Sequence, residues 1–241
     1  MTEWFKQWFG EEYLRLYPHR DDDDAEQLAA LIASHTELRG RVLLDLACGP
    51  GRHSVLFRNL GARVVGFDLS MPLLSRARHL NGDEPPALVR GDMRRLPFGA
   101  ATFDVVVNLF TSFGYFADDR QHEAVLRGAA TTLRTGGTFV LDYLNADAVH
   151  QSLVPHDETQ LGNQRVVVER SITPDERFVI KEIRLVDDGR SFMERVRLFS
   201  PRDLSSMLRQ AGLDVGEPLG DYEGRPLTAV SPRVILFGTR R

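Results

Sequence analysis

Between Arg41 and Asp142, short runs of β-branched and aliphatic residues alternate with helically spaced segments, and this alternation restricts the chain more than any other feature. Residues 42–46, 63–67, 87–90, 104–108 and 138–142 read as five successive strands, most of them apolar on both faces. Strands of that kind belong in a parallel sheet covered by helices on both sides. The covering helices are residues 52–60, 71–80 and 121–133, the last expected to stop at Gly136-Gly137. Residues 25–38 form a further amphipathic helix upstream, with the carboxylates of 21–24 at its N-terminus, where the macrodipole favours negative charge.

After Asp142 the pattern changes. Residues 165–171, 177–186 and 191–198 alternate polar and apolar side chains, with turn signals at Thr173-Pro174-Asp175 and Asp187-Asp188-Gly189, as an antiparallel meander requires. A helix opens at Ser200-Pro201, where Ser200 serves as N-cap, and closes at Gly212; residues 213–219 and 233–239 supply two last strands. The expected fold is a single doubly wound α/β domain over residues 1–241, with seven mostly parallel strands, an N-terminal segment at 1–24 and an antiparallel insert at 144–199.

The chemistry concentrates where strands end. Leu43-Leu44-Asp45-Leu46-Ala47-Cys48-Gly49-Pro50-Gly51-Arg52 is a buried strand running into a glycine-bearing turn and then a helix, so a ligand can approach the backbone closely. In an open α/β sheet this turn lies near the reversal of strand order, where ligands settle. Asp68 ends the second strand, where a carboxylate accepts both hydroxyls of a ribose. Gly91-Asp92-Met93 follows the third strand, with Asp92 placed to accept from an adenine amino group, and Asn108-Leu109-Phe110 ends the fourth beside the ligand. Gly49-Pro50-Gly51-Arg52-His53-Ser54 lacks the third glycine of a nicotinamide-binding turn, and there is no Gly-Lys-Ser/Thr for a triphosphate loop.

On these residues the chain resembles the class I S-adenosylmethionine-dependent methyltransferases, whose fold is a Rossmann-like sheet. The motif-bearing match covers residues 41–143. The resemblance implies S-adenosylmethionine as cofactor, with Asp45, Ala47, Cys48, Gly49, Pro50 and Gly51 around its methionine portion. It implies Asp68 and Leu69 at the ribose, Asp92 and Met93 at the adenine, and Asn108 and Leu109 near the sulfonium. The insert is similar to that of small-molecule N-methyltransferases of the glycine and aminosugar types, where it covers the acceptor. In those relatives an aromatic N-terminal segment folds over the cofactor, and residues 8–20 look like such a lid. Tyr13 and Tyr17, four apart, share a helical face, and Arg20 is placed to pair with the cofactor carboxylate.

Methyl transfer is an in-line displacement that rests mainly on alignment, which supplies about 7 to 11 kcal/mol. The sequence offers Tyr13, Tyr17 and Tyr143 as catalytic side chains and His53 and His19 as further bases. Phe113, Tyr115 and Tyr143 are expected to line the acceptor pocket. With 30 basic and 34 acidic residues, the net charge of −4 gives no general attraction to nucleic acid or an anionic membrane, which favours a small-molecule acceptor over RNA or protein. A binding module without transfer activity is the other alternative. Arg90, Arg94 and Arg95 read as a solvated basic face. The lone Cys48 excludes a disulfide framework or a multi-cysteine zinc site, and no metal is expected. No signal peptide or span of about 20 apolar residues is evident, and the expected setting is cytoplasmic, as a monomer or homodimer.

Overall fold

A computed structural model describes residues 3–17, 22–80, 86–161 and 164–241. The N-terminal segment forms two short helices, α1 (Trp4–Trp8) and α2 (Glu11–Leu16), separated by Gly10, and α3 (Asp22–His35) follows. The alternating region then gives β1 (Val42–Leu46), α4 (Arg52–Asn59), β2 (Arg63–Asp68), α5 (Met71–Leu80), β3 (Ala87–Arg90), β4 (Phe103–Asn108), α6 (Asp119–Thr132) and β5 (Leu133–Leu144). Beyond it lie α7 (Ala146–Ser152), β6 (His156–Leu161), β7 (Gln164–Ile172), β8 (Phe178–Leu185), β9 (Ser191–Arg197), α8 (Pro201–Gln210), β10 (Leu213–Val215) and β11 (Arg233–Arg240).

Seven strands make one sheet in the order β10-β11-β5-β4-β1-β2-β3. The pairings among β1 to β5 are parallel, whereas β11 runs antiparallel to both of its neighbours. Strand order reverses between β1 and β4, so the crevice at their C-terminal ends is the natural ligand site. Alternate residues of the central strands enter different cores, as a period of two demands. Leu44, Leu46, Val106, Phe139 and Leu141 pack on one face, and Leu43, Val105, Val107 and Val140 on the other. Full burial of each such side chain stabilises by about 1.5 to 3 kcal/mol.

The insert forms a separate four-stranded antiparallel sheet, β6-β7-β8-β9. Val166, Val168, Ile183 and Leu185 turn one of its faces into the larger core, and the Arg197 N–H donates to the Gly114 carbonyl at 2.8 Å. Helix α7 and strand β6 are additions to the expected insert. Residues 156–160 are exposed throughout, so the strand carries no apolar alternation to reveal it. Gly136-Gly137 does not end α6; β5 begins at Leu133, and the glycines lie inside it where the register with β4 shifts between Phe103 and Val105. A side chain at Gly137 would meet the carbonyl oxygens of Arg134 and Asp104 at 2.8 and 2.9 Å. The strand expected at 213–219 is confined to Leu213–Val215. Helix α8 carries the anticipated cap as a full capping box between Ser200 and Asp203, worth about 1 kcal/mol.

Candidate active site

The turn after β1 holds its shape through three left-handed residues, Ala47 at φ 61°, Gly49 at φ 56° and Gly51 at φ 84°. A Cβ built on Gly49 would find its nearest neighbour, Leu73 Cδ1, 4.0 Å away, so ligand atoms have room against this backbone. Beneath the turn, Asp45 is buried and accepts the Ser54 hydroxyl at 2.6 Å. Burial pushes its carboxyl up to about 7; Ser54 opposes the rise and the charge of Asp68 adds to it. Asp68 accepts the N–H groups of Gly49 at 2.9 Å and Ser70 at 2.8 Å, which leaves carboxylate lone pairs for a further donor. Burial raises the Asp68 carboxyl despite these bonds. The Cys48 thiol is pushed up by burial and by the two carboxylates, which makes it an inert filler of the turn.

Asp45, Ala47, Cys48, Gly49, Pro50, Asp68, Leu69, Asp92, Met93 and Leu109 all line one cleft of about 1290 Å³. Gly51 does not line it and instead caps α4. Asn108 is also withdrawn from it; its Nδ2 donates to the Leu46 carbonyl at 2.9 Å, and Oδ1 finds no donor among the described residues. Tyr13 and Tyr17 line the cleft together with Phe5 and Phe9, in an aromatic chain whose Tyr13 and Tyr17 centroids lie 5.4 Å apart. His53 lines it too, and burial lowers its imidazole to about 3, so it is neutral across the physiological range. Arg20 and His19 lie outside the described residues. Among the described residues, no cluster of metal-ligating side chains exists, and no helix is long and apolar enough to cross a membrane.

A second chamber of about 600 Å³ adjoins the first, and Phe9, Phe110 and Tyr115 line both. Its walls come from the N-terminal helices, the turn after β4, the insert and the loop before β11. They carry the carboxylates of Asp24, Glu194, Asp221 and Glu223 and the cations of Arg170, Lys181 and Arg233. The buried Asp142 carboxylate compensates Arg233 at 2.8 Å. Glu194 accepts the Trp8 indole N–H at 2.7 Å, and Lys181 donates to the Tyr17 hydroxyl at 2.8 Å. Lys181 and Glu194 face each other directly across β8 and β9, a mirrored pair of opposite charges that is the one signal of them in the sequence. Asp24, Tyr222 and Arg233 have no such signal, because their approach to the site depends on how α3, the loop before β11 and the start of β11 pack together.

Two expected pocket residues are corrected. Tyr143 is fully buried, shares the core face of Phe139 and Leu141, and donates its hydroxyl to the Arg197 carbonyl. Burial holds that hydroxyl far above the usual phenol range, so it neither lines a chamber nor serves as a base. Phe113 is likewise fully buried, packed against His122, Tyr143 and Phe199. Arg94 is no solvated residue: its side chain is 20% exposed and its guanidinium grips Asp92.

A family model described as a methyltransferase domain matches residues 43–137. The cypemycin N-terminal methyltransferase of a Streptomyces species is 33% identical over 221 residues, covering 89% of this chain and 89% of that protein. The dTDP-3-amino-3,6-dideoxy-alpha-D-glucopyranose N,N-dimethyltransferase of Streptomyces fradiae is 31% identical over 212 residues, covering 85% of this chain and 82% of that one. Among solved structures, the CcbJ methyltransferase of Streptomyces caelestis superposes with a TM-score of 0.82 at 23% identity, over 97% of this chain and 98% of that chain. The chain belongs to the class I S-adenosylmethionine-dependent methyltransferases. It is an enzyme of that class, and S-adenosylmethionine is its cofactor.

Proposed function

We propose that the chain transfers a methyl group from S-adenosylmethionine to an amine nitrogen of a small molecule held in the second chamber. The observation that carries this reading is the aromatic wall of Phe9, Phe110 and Tyr115, shared by the cofactor cleft and the second chamber, whose ring faces suit an ammonium group. The named acceptors of the two relatives, a peptide N-terminus and an amino sugar, are both amines, which supports it further. A chamber of about 600 Å³ leaves room for an acceptor, and this argues against a module that only binds cofactor.

The residues present fit the cofactor. Asp45, a buried carboxyl near its titration point, suits the α-ammonium group, and the open backbone at Gly49 suits the chain beside it. Asp68 keeps acceptor sites for the ribose hydroxyls, while Asp92 and Met93 frame the adenine at the far end of the cleft. Bound there, S-adenosylmethionine supplies a methyl group on a sulfonium, an electrophile that needs no further activation. Phe9, Phe110 and Tyr115 exclude water from the line of transfer and offer ring faces to positive charge. Asp24 attracts an ammonium acceptor and takes the proton that must leave before its nitrogen can attack. A cytoplasmic setting, as a monomer or homodimer that does not bind nucleic acid, belongs to the same reading.

The test is a turnover assay with S-adenosylmethionine and four acceptors in parallel: an amino sugar nucleotide, a short peptide with a free N-terminus, a catechol and a transfer RNA. Release of S-adenosylhomocysteine with one of the two amines, with a mass gain of one methylene in the product, is the expected result. Turnover confined to the catechol or the RNA would overturn the amine reading.

A further inference from the structure

Arg94 stands at the junction between the cofactor cleft and the lid. Its Nε donates to both oxygens of Asp92, at 2.9 and 3.1 Å, and Nη2 reaches Asp92 Oδ2 at 2.5 Å. The other nitrogen, Nη1, meets Glu3 Oε1 at 2.6 Å, just ahead of α1. The guanidinium also lies 4.8 Å from the ring centroid of Phe116, and Phe116 packs edge-on against Phe5 of α1 at 5.7 Å. One planar cation therefore holds a carboxylate of the cleft, a carboxylate of the lid and the ring between them. A lysine cannot reproduce the arrangement, because a single ammonium has no fork to hold two carboxylates in fixed geometry.

The far end of the lid is tied elsewhere. Trp8 donates to Glu194, Lys181 donates to Tyr17, and Arg190 pairs with Glu12 at 2.7 Å, all three partners being on or beside the insert sheet. The lid thus spans from the Asp92 end of the cleft to the insert, and on the way Trp4 and Phe9 form part of the wall of the second chamber.

We propose that Arg94 is a positioning residue that couples the cofactor to the lid: through the Glu3–Arg94–Asp92 bridge, one guanidinium fixes the Asp92 carboxylate in the cleft and holds α1 over it, so that filling the cleft tightens the lid. The coupling rests on the cleft being the cofactor site and not on what the second chamber holds.

The chain's two tryptophans, Trp4 and Trp8, both lie in α1, so intrinsic tryptophan fluorescence reports the lid and nothing else. The experiment titrates S-adenosylhomocysteine into the full-length protein, following heat by calorimetry and acrylamide quenching of tryptophan emission in parallel. In the wild type, ligand is expected to reduce quenching. In Glu3→Gln and in Arg94→Lys, with unchanged far-ultraviolet circular dichroism, the ligand still binds, on the order of threefold to tenfold more weakly, and the change in quenching is lost. Wild-type quenching responses in both variants would overturn the proposal, as would wild-type tryptophans indifferent to ligand that calorimetry shows to be bound. Absence of binding heat in the wild type would instead remove the cofactor site on which the bridge acts.

Discussion

The Asp142 carboxylate holds the backbone of Phe110: its Oδ2 accepts the Phe110 N–H at 2.8 Å, just where β4 gives way to the wall between the two chambers. The same oxygen takes the Tyr222 hydroxyl at 3.2 Å, Oδ1 takes Arg233 Nε at 2.8 Å, and the Asp142 carbonyl takes the Thr111 N–H at 3.1 Å. The grip is needed because Phe110 and Thr111 stand at φ 52° and 60°, a left-handed conformation that costs residues other than glycine about 1 to 3 kcal/mol each. Asp142, fully buried, thus sets the position of a ring that lines both chambers.

Removing this carboxylate leaves the largely buried Arg233 without its counter-charge and the turn without its clamp. Asp142→Ala is expected to cost about 3 kcal/mol of stability in urea denaturation. Thr111→Gly in that background should recover part of the loss, since glycine adopts the left-handed region freely. A cost below about 0.5 kcal/mol, the range of ordinary surface substitutions, would show that the turn holds itself.

Asp68 is the point at which the cofactor assignment is most exposed to test. Asp68→Ala removes the acceptor proposed for the ribose and also strands the N–H groups of Gly49 and Ser70. S-adenosylmethionine affinity should fall on the order of tenfold to a hundredfold by calorimetry. An unchanged Kd would mean that the ligand lies elsewhere in the cleft.

What could be read from the sequence was whatever is continuous along the chain. The run from Asp45 to Arg52 is strand, turn and helix start in immediate succession, Asp68 ends β2 and Asp92 follows β3 by two residues, so one parallel sheet necessarily brings them to a common edge. The second chamber is assembled from four separate segments, and sequence spacing says nothing of how these meet. Tyr143 illustrates the limit. It stands at the correct edge of β5, but the alternation that sends Phe139 and Leu141 into the core sends Tyr143 after them, while Asp142 between them turns towards the turn after β4. Choosing which parity faced the site required knowing where the insert docks.

Tyr143 is accordingly expected to behave as a structural residue. Tyr143→Phe deletes the donor to the Arg197 carbonyl and leaves that acceptor buried, at a cost of about 1 to 2 kcal/mol. Its S-adenosylhomocysteine Kd should equal that of the wild type. The pH dependence of kcat on an accepted amine should also be unaltered, whereas loss of a basic limb in that profile would restore the phenol to catalysis.

Asp45 provides a test by pH. Its carboxyl is raised from the ordinary 3.8 to about 7, chiefly by burial, so between these values the folded chain keeps a proton that the unfolded chain has released. The sign follows from linkage: this group's contribution to stability falls as pH rises through that window, opposite to the behaviour of a salt-bridged carboxylate such as Asp104. The effect is isolated by comparing wild type with Asp45→Asn, whose amide does not titrate. The stability difference between them should shift in favour of the variant as pH climbs from about 4 to about 7. A bound α-ammonium reverses the cost, because it pairs with the ionised form. S-adenosylmethionine affinity of the wild type should therefore rise towards about 7 and fall again as the ammonium deprotonates near about 8, while that of Asp45→Asn stays weak and lacks the rise. Parallel pH profiles of Kd in the two proteins would place the ammonium away from Asp45 and leave the buried carboxyl a purely structural partner of Ser54.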